Sequence, residues 1–301
     1  MTHFRYLSFL TDYGLEDGFV AACHGVAAGI APQISIIDVT HLIPPGDIRR
    51  GAVVLAQTVP FLPPAVHVAV VDPGVGTSRR GIAVAAGASV FVGPDNGLLS
   101  WAVAACGGAV RAVSLTNRAL WREPVAAATF HGRDIFMPVA AHLAAGAGLE
   151  AAGQPVEVAD LVTLPVPERM IRDSVAEGEV LTVDRFGNIQ LTITAADAAE
   201  IGVKPGGTVL VSTGLVSTGL VSTGLVSTGL ASTGLASTGL IGSGRHRLAI
   251  PYRDMFGAVA AGDLVAYTDS AGLVSIAVNG GNAAQRLALP PGAVVSVTAI
   301  R

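Results

Sequence analysis

The sequence has few charged and few aromatic residues. Of its 301 residues, 13% are Asp, Glu, Lys or Arg and 5% are Phe, Trp or Tyr, whereas 51% are hydrophobic. The net charge is −4 and no run of Lys or Arg occurs, so nucleic acid is not an expected partner. A chain of this length and composition is expected to bury a substantial core in one large domain or two ordinary ones.

Cysteines and long apolar runs are also scarce. The two cysteines, Cys23 and Cys106, lie in Ala-rich surroundings without CxxC spacing, which predicts free thiols. No apolar stretch reaches the roughly 18 residues that span a bilayer, and the first residues do not have the pattern of a signal peptide. We therefore expect no membrane partner and a cytoplasmic location.

Histidines do not form a recognisable metal motif. The seven histidines are dispersed, and none has HxxxH or a similar ligand spacing. No metal site is therefore predicted. His41 follows a β-branched run, where it is expected to hydrogen-bond at a sheet edge without a chemical role.

Strand-like and helix-like segments alternate in the first half of the chain. Such alternation predicts an α/β domain with a largely parallel sheet, here over residues 1–155. Ligands of such sheets bind beyond the carboxyl ends of the strands, where Asp12 and Asp72 fall. The expected strands are 6–10, 34–39, 66–71, 82–85 and 90–92, and the expected helices are 19–30, 47–58, 96–105 and 131–146.

The second half has a different pattern. Residues 156–173 contain several prolines and are expected to form a linker. Short strands with Gly turns follow over 174–301 and predict a smaller β-barrel domain. The expected strands are 178–184, 189–193, 208–212, 248–251, 263–268 and 273–278.

A tandem repeat interrupts this second domain. Residues 211–240 consist of VSTGL four times and ASTGL twice. Because five is odd, successive pentads place Val or Ala on opposite faces of a strand, so one strand cannot bury a constant face. We interpret the repeat as an insertion between two strands with little function. A flexible arm, an overlong hairpin and slipped strand registers all stay open as its conformation.

Two clusters contain residues suited to chemistry. Residues 71–80, VDPGVGTSRR, place a carboxylate at a strand end, then a Pro-Gly turn and two cations. The alternative is a tight loop whose Asp caps its own backbone. Residues 129–134, TFHGRD, place His131 beside Gly132 at the start of a helix, where the His is either a catalytic group or a cap.

The whole chain resembles one enzyme family. Its segments are similar to those of the S-adenosylmethionine hydroxide adenosyltransferases, which are S-adenosylmethionine hydrolases related to the fluorinase and chlorinase enzymes. The match covers nearly everything except the pentads. Its segments, in order, are LTDYGLEDGFVAACHGV, IIDVTHLIPPGDIRRGA, VVDPGVGTSRR, VGPDNGLLS, TFHGRDIF, VDRFGNIQLTI and DSAGLVSIAVNGGNAAQRL.

This resemblance implies a fold, an assembly and an activity. The fold is an N-terminal α/β domain with a C-terminal β-barrel. The assembly is a homotrimer, with the substrate between the N-terminal domain of one subunit and the C-terminal domain of the next. The activity is hydrolysis of S-adenosylmethionine to adenosine and methionine. Since S-adenosylmethionine is the substrate, no cofactor is expected.

The resemblance also assigns the catalytic residues to Asp72, Arg79 and His131. The halogenating relatives carry Tyr at the positions of Asp72 and His131. They hold the halide with hydroxyl groups where this chain has Val75 and Gly132. Water is therefore the expected nucleophile.

Four substrate-binding residues are carried over with the resemblance. Asp12 matches a carboxylate that binds both ribose hydroxyls; its alternative role is a helix N-cap. Asp184 matches the partner of the methionine amine, Phe186 the ring packed on adenine, and Asn188 the amide at the adenine edge. The alternative for the FGN segment is a hairpin turn.

Three further residues match the family near the substrate. Ser270 matches a residue near the methionine carboxylate, although Ala271 stands where the halogenating relatives have an Arg. Asn279 and Gly280 belong to the segment whose backbone meets adenine.

The reaction places few demands on these residues. Methionine leaves the C5′ sulfonium as a neutral thioether, so no general acid is needed. A carboxylate and a His can orient the attacking water, and an Arg can hold the carboxylate ionised. Which group takes the proton stays open. So do two alternative functions, a halogenase-like displacement and a non-catalytic S-adenosylmethionine or adenosine binder.

Overall fold

The computed structural model describes residues 3–124, 127–213 and 246–300. The chain divides into two compact units, 1–165 and 166–301. None of the helices in the described ranges is long and apolar enough to cross a membrane. The range expected as linker, 156–173, includes the division between the units, a 3₁₀ turn at Val158–Asp160 and a strand at Arg169–Arg172.

The first unit alternates strands and helices. Its strands are β1 (Tyr6–Thr11), β2 (Ser35–Thr40), β3 (Val66–Val70), β4 (Gly81–Ala86), β5 (Ser89–Pro94), β6 (Ala109–Ser114) and β7 (Gln154–Val156). Its α-helices are α1 (Phe19–Ile30), α2 (Ile48–Thr58), α3 (Ser100–Ala105) and α4 (Met137–Ala144). A π-helical turn, Gly132–Phe136, leads directly into α4.

These strands form one sheet in the order β2-β1-β3-β5-β4-β6-β7. The neighbours β2, β1, β3 and β5 pair in parallel, whereas β4 is antiparallel to both β5 and β6. Because two reversals restore the direction, β6 runs with the parallel group, and five of the seven strands point the same way. The predicted α/β domain with a largely parallel sheet is confirmed.

Alternation along the strands divides the core into two layers. Leu7 and Phe9 on β1 face a cluster that includes Cys23 of α1 and Val139 of α4. Leu10 faces the opposite cluster, with residues of α2 and α3. Successive strand side chains point to opposite faces, so helices cover both sides of the sheet. The ends of the strands in this sheet therefore remain available for polar groups.

The second unit is a nearly closed antiparallel barrel, as predicted. Its elements are β8 (Arg169–Arg172), β9 (Val175–Val183), β10 (Ile189–Thr194), α5 (Ala195–Glu200), β11 (Thr208–Thr213), β12 (His246–Pro251), β13 (Leu264–Thr268), β14 (Leu273–Val278), α6 (Ala283–Leu287) and β15 (Val294–Ile300). The strands follow the order β12-β11-β15-β9-β10-β14-β13, with β8 paired to β9. A bridge between Tyr252 and Ala266 brings the end of β12 to β13.

Several elements differ from the sequence expectation. The strands β6 and β15 were not expected, although β15 is central to the barrel between β11 and β9. The helix expected over 96–105 begins only at Ser100, because Asp95 to Leu99 form a turn. The pentads begin inside β11: Val211, Ser212 and Thr213 pair with both β12 and β15. The rest of the repeat, residues 214–240, lies outside the described residues.

We predict that the pentads beyond the first can be removed. Thr213 and His246 are the last paired residues of β11 and β12, so their backbones are neighbours across the ladder. Deleting residues 216–240 keeps both strands and should change the melting temperature by only a few degrees, as expected for a change confined to a connection. Thermal unfolding by circular dichroism measures this.

A control deletion of residues 211–240 also removes the end of β11. We expect that variant to lose stability, because it takes away three ladder positions that pair on both sides. Equal losses in both deletions would contradict the assignment of the insertion to the residues after Thr213.

Candidate active site

Asp72 lies just beyond the carboxyl end of β3, at the start of a loop that folds back on itself. The amide of Val75 donates to the Asp72 carbonyl at 3.1 Å, and the Thr77 hydroxyl donates to the Gly74 carbonyl at 2.7 Å. These successive turns reverse the chain within a few residues. They return Arg79 to the side chain of Asp72.

Arg79 joins the two other predicted catalytic residues. Its Nε donates to Asp72 Oδ1 at 2.9 Å, and its Nη2 donates to Asp72 Oδ2. The same Nη2 lies 2.9 Å from His131 Nδ1. The Asp72 and Arg79 side chains are only 5% and 13% exposed. The carboxylate is thus held by a bidentate, charge-assisted pair, and the alternative in which Asp72 caps its own loop is not what the structure shows.

The contact with Arg79 defines the protonation of His131. A guanidinium has donors and no acceptor, so Nδ1 must accept and the ring proton must be on Nε2. Burial, together with the positive charge of Arg79, lowers the pKa of His131 below its ordinary value of 6.5. At neutral pH the imidazole is therefore uncharged, with an Nε2–H donor.

A π-helical turn presents His131. The residue precedes Gly132–Phe136, and its side chain makes no capping hydrogen bond, so it is not a cap. Pro138 lacks an N–H, and the Asp134 carbonyl one turn earlier accepts instead from the amide of Arg122 at 3.0 Å. Turns of this type are frequent at functional sites. Phe136 of the same turn is fully buried, with the Arg79 guanidinium 5.2 Å from its ring centroid.

The buried carboxylate of Asp134 holds this turn in place. Burial alone would raise the pKa of Asp134, but hydrogen bonds from Arg133, Arg122 and the Ala127 amide lower it to about 2. Asp134 is therefore a structural anion beside the predicted catalytic residues.

Asp72 and His131 border a cavity of about 300 Å³ in the first unit, and Arg79 contacts both of them. This volume is at the lower end of the range for ligand pockets. Asp12 also lines it and accepts from the Gly46 amide at 2.8 Å. The alternative role of Asp12 as a helix cap is wrong, because the N-cap of α1 is Gly18. The lining residues are Asp12, Tyr13, Pro45, Gly46, Val70, Asp72, Pro73, Val75, Thr129, His131 and Gly132.

Tyr13 is a cavity residue that the sequence analysis did not single out. Its ring lies edge-on to Phe9, Phe19 and Phe130, at centroid distances of 6.4, 6.1 and 5.6 Å. Its hydroxyl occupies the space where a side chain of residue 132 would lie. Burial, with Asp12 and Asp72 nearby, raises the pKa of Tyr13 well above its ordinary value. The hydroxyl therefore keeps its proton and is a donor at the cavity.

The next arginine has a separate role. Arg80 Nε donates to Asp95 Oδ2 at 2.9 Å, and Asp95 Oδ1 accepts from the amide of Val162 at 2.9 Å. Asn96 donates to the carbonyl of Val71 at 2.9 Å, which ties this turn to the residue before Asp72. Asp95 and Asn96 thus build the turn beside the site.

In the second unit, three predicted substrate-binding residues share one loop between β9 and β10. Asp184 Oδ1 accepts from the amides of Phe186 and Asn188 at 2.8 and 2.9 Å, and its Oδ2 accepts from Asn188 Nδ2 at 2.8 Å. The Phe186 side chain is left 67% exposed. The loop is thus a turn, as the alternative interpretation of the FGN segment predicted, and the aromatic ring of Phe186 is exposed.

The other predicted binding residues lie in two further turns of that unit. Asn279 Nδ2 donates to the Val259 carbonyl at 2.8 Å, and Gly280 follows with a φ of +73°. The Gly187 carbonyl accepts from the Ala284 amide at 3.0 Å, which brings the Asp184 loop close to the start of α6. Ser270 lies in the β13–β14 turn, whose Asp269 accepts from Gln190 at 2.6 Å.

Comparisons with known proteins agree on one family. A family model described as the SAM hydroxide adenosyltransferase N-terminal domain matches residues 7–153, and the corresponding C-terminal domain model matches residues 178–296. An (R)-S-adenosyl-L-methionine hydrolase of Salinispora arenicola is 51% identical over 98% of both chains. One of Salinispora tropica is 50% identical, also over 98% of both.

More distant proteins match as well. A solved structure of an uncharacterized conserved protein from Thermotoga maritima superimposes with a TM-score of 0.83 and 32% identity, covering 97% of this chain and 99% of that one. A fluorinase of an Actinoplanes species is 27% identical over 65% of this chain and 74% of its own. The predicted relation to the fluorinases is confirmed.

We predict that residue 132 must be Gly because of Tyr13. A Cβ at this position would overlap the Tyr13 hydroxyl, so Gly132→Ala should lower the free energy of unfolding by roughly 1–3 kcal/mol. Removing the hydroxyl with Tyr13→Phe should relieve most of this loss in the double variant. Urea unfolding of the four proteins measures the coupling. Additive effects of the two substitutions would contradict this contact.

Proposed function

This chain belongs to the SAM hydroxide adenosyltransferase family, and we propose that it hydrolyses S-adenosyl-L-methionine to adenosine and L-methionine. Water attacks C5′ of the ribose, and methionine leaves as a neutral thioether. The relatives that match over nearly the whole chain are named for this activity. No cofactor takes part in the proposed reaction.

The observation that best supports this reaction is the contact of one guanidinium with both Asp72 and His131. Arg79 aligns the carboxylate, which prepares an acceptor for the hydrogens of a water molecule. Holding a nucleophile in line with its target can supply roughly 7–11 kcal/mol in favourable intramolecular cases. Catalysis by placement suits a leaving group that needs no proton.

The direction of the hydrogen bonds supports Asp72 as the group that takes the proton. His131 accepts from Arg79 through Nδ1 and carries its proton on Nε2, so it cannot take another while that contact persists. Each Asp72 oxygen has lone pairs beyond those used by Arg79. In the proposed mechanism Asp72 accepts a hydrogen bond and then the proton of the water, while His131 Nε2–H orients the water oxygen.

The cavity lining favours water over a halide. Val75 and Gly132 provide no hydroxyl at positions where halogenating relatives carry one. The Tyr13 hydroxyl lies in the space beside Gly132, so one donor reaches that region from another element. Chloride is for this reason included in the test below.

The function is tested by product analysis in water enriched in heavy oxygen, with and without chloride. Labelled adenosine and methionine are the expected products. Arg79→Lys should lower kcat by roughly 10²–10³-fold, because Lys lacks the planar fork that bonds two partners. Arg80→Lys is the matched control, since Arg80 pairs with Asp95 and not with Asp72 or His131.

Three results would contradict the proposal. A chlorinated nucleoside would indicate a halogenase, and binding without products would indicate a non-catalytic binder. Equal losses in the two Lys variants would show that the Arg79 contacts have no special role.

Because the proposed mechanism needs neutral His131, we expect kcat to fall at acidic pH. Protonation of Nδ1 would remove the acceptor of Arg79 and place two cations together. Since the pKa of His131 is lowered, kcat should stay constant at neutral pH and fall only as the pH drops through a value below 6.5. His131→Asn keeps an acceptor for Arg79 without a titrating group, so this limb should vanish from its pH profile. An unchanged limb in that variant would assign the titration to another residue.

We further propose that each complete site forms between subunits of a homotrimer. The two halves of the substrate site belong to separate compact units: Asp12 and the catalytic residues to the first, and Phe186 and Asn188 to the second. In this proposal Asp184, Ser270, Asn279 and Gly280 bind the methionine and adenine ends of the substrate. Exposed apolar side chains such as Leu15 and Leu42, 65% and 67% exposed, suit a subunit contact.

Mixed trimers test this arrangement. Asp72→Asn disables the first half of the site, and the double variant Phe186→Ala/Asn188→Ala disables the second. Co-expression of both chains with different tags should restore activity, because about one site in three of each mixed ring receives two intact halves. Inactive mixed assemblies would mean that both halves of each site come from one chain.

We place the reaction in the cytoplasm. Its substrate is made there, and both cysteines are free, as expected for a reducing compartment.

A further inference from the structure

A second group of polar side chains lies outside the cavity of the first unit. It consists of His24 on α1, Asp38 on β2 and His41 just after β2. The Nε2 atoms of His24 and His41 lie 2.9 and 3.0 Å from the same oxygen, Oδ1 of Asp38. None of the three residues lines the cavity that contains Asp72. The proposed reaction leaves this cluster unused.

His41 is held so that one nitrogen faces the cluster. Its side chain is 3% exposed, its Nδ1 lies 2.9 Å from the Thr11 hydroxyl, and its ring lies edge-on to Phe9 at 4.9 Å. The Nε2 atom is fully buried and has no hydrogen-bond partner, because its contact with Asp38 is poorly aligned. A buried polar atom without a partner is destabilising, so this nitrogen is suited to a ligand.

The nitrogen–oxygen spacing in the cluster fits a shared metal ion, and the three donor atoms all lie within 4.8 Å of one another. Nitrogen and oxygen ligands bind such an ion at about 2.0–2.2 Å. At the ligand–ion–ligand angles of octahedral or tetrahedral geometry, two neighbouring ligand atoms then lie about 2.8–3.6 Å apart. The nitrogen–oxygen distances in the cluster fall within this range. The His41–Asp38 contact is close but misaligned, as expected where ligand lone pairs point at a shared ion. His24 Nε2 makes a 2.9 Å hydrogen bond with Asp38 Oδ1, which a bound ion would replace.

We propose that His24, Asp38 and His41 form a binding site for a divalent transition-metal ion, with Zn²⁺ as the best match. Two imidazoles and one carboxylate are a common donor set for zinc and for non-haem iron. The His24 and Asp38 side chains are 35% and 41% exposed, so water can complete the coordination and an ion can enter from solvent. Thr11 fixes the outer nitrogen of His41, as second-shell partners of metal-bound His do.

The position of the site indicates a structural role. An ion there would join α1 to the end of β2. The His41 carbonyl accepts from the Gly14 amide at 2.8 Å, and the Thr11 carbonyl accepts from the Ile43 amide at 3.4 Å. The ion therefore braces the segment that carries Asp12 and Tyr13 into the cavity, without taking part in the reaction.

Metal binding to the full chain, freed of any affinity tag and stripped with a chelator, tests the proposal. Equilibrium dialysis against Zn²⁺ with elemental analysis should give one tightly bound ion per chain, and Co²⁺ should show the visible bands of a nitrogen- and oxygen-ligated ion. His24→Lys places a cation beside Asp38 and removes a ligand, so Zn²⁺ affinity should fall by roughly 100-fold or more. Thr11→Val should lower it by roughly 10–100-fold.

His142→Gln is the matched control, because His142 lies on α4 and outside the cluster. It should bind Zn²⁺ like the unmodified chain. Zn²⁺ should also raise the melting temperature of the unmodified chain and of His142→Gln, but not of His24→Lys. Failure of the unmodified chain to bind Zn²⁺, or equal affinity in His24→Lys, would overturn the site. Neither result would affect the proposed hydrolysis, which is measured separately.

Discussion

One guanidinium determines the chemistry of the first unit. Arg79 binds both oxygens of Asp72 and the Nδ1 of His131, and it rests on the ring of Phe136. Because Arg has only donors, this single residue orients the Asp72 carboxylate and makes His131 Nδ1 an acceptor, with the ring proton on Nε2. A Lys in its place would also have only donors, but its ammonium group lacks the planar fork that binds both Asp72 oxygens side by side. The proposed assignment of the water proton to Asp72 depends on this constraint.

The fold brings these groups together from distant parts of the chain. Asp72 follows the central strand β3, and tight turns return Arg79 to it. His131 arrives at the start of a π-helical turn, which the buried Asp134 holds through Arg122 and Arg133. Asn96 ties the neighbouring turn to the end of β3. Strand ends, where backbone groups are not used by the ladder, are natural positions for such residues.

Part of this arrangement was predictable from the sequence. Alternating apolar patterns predicted α1 at its observed bounds and most strands, and the resemblance identified the three residues that the structure brings together. The packing of Tyr13 over Gly132 was not predictable, because it depends on how far two loops approach each other. The cluster of His24, Asp38 and His41 was missed because its members come from a helix, a strand and a loop without motif spacing. β15 was missed although it is central to the barrel.

The central claim is that Arg79 keeps His131 neutral with its proton on Nε2. Nitrogen NMR of the protein labelled at histidine, with His131→Asn used to assign the signals, reports this tautomer directly. We expect an unprotonated Nδ1 and a protonated Nε2 for His131 at neutral pH, and a loss of this preference in Arg79→Met, which has no donor. A protonated Nδ1, or a charged ring at neutral pH, would contradict the hydrogen-bond direction from which the mechanism is derived.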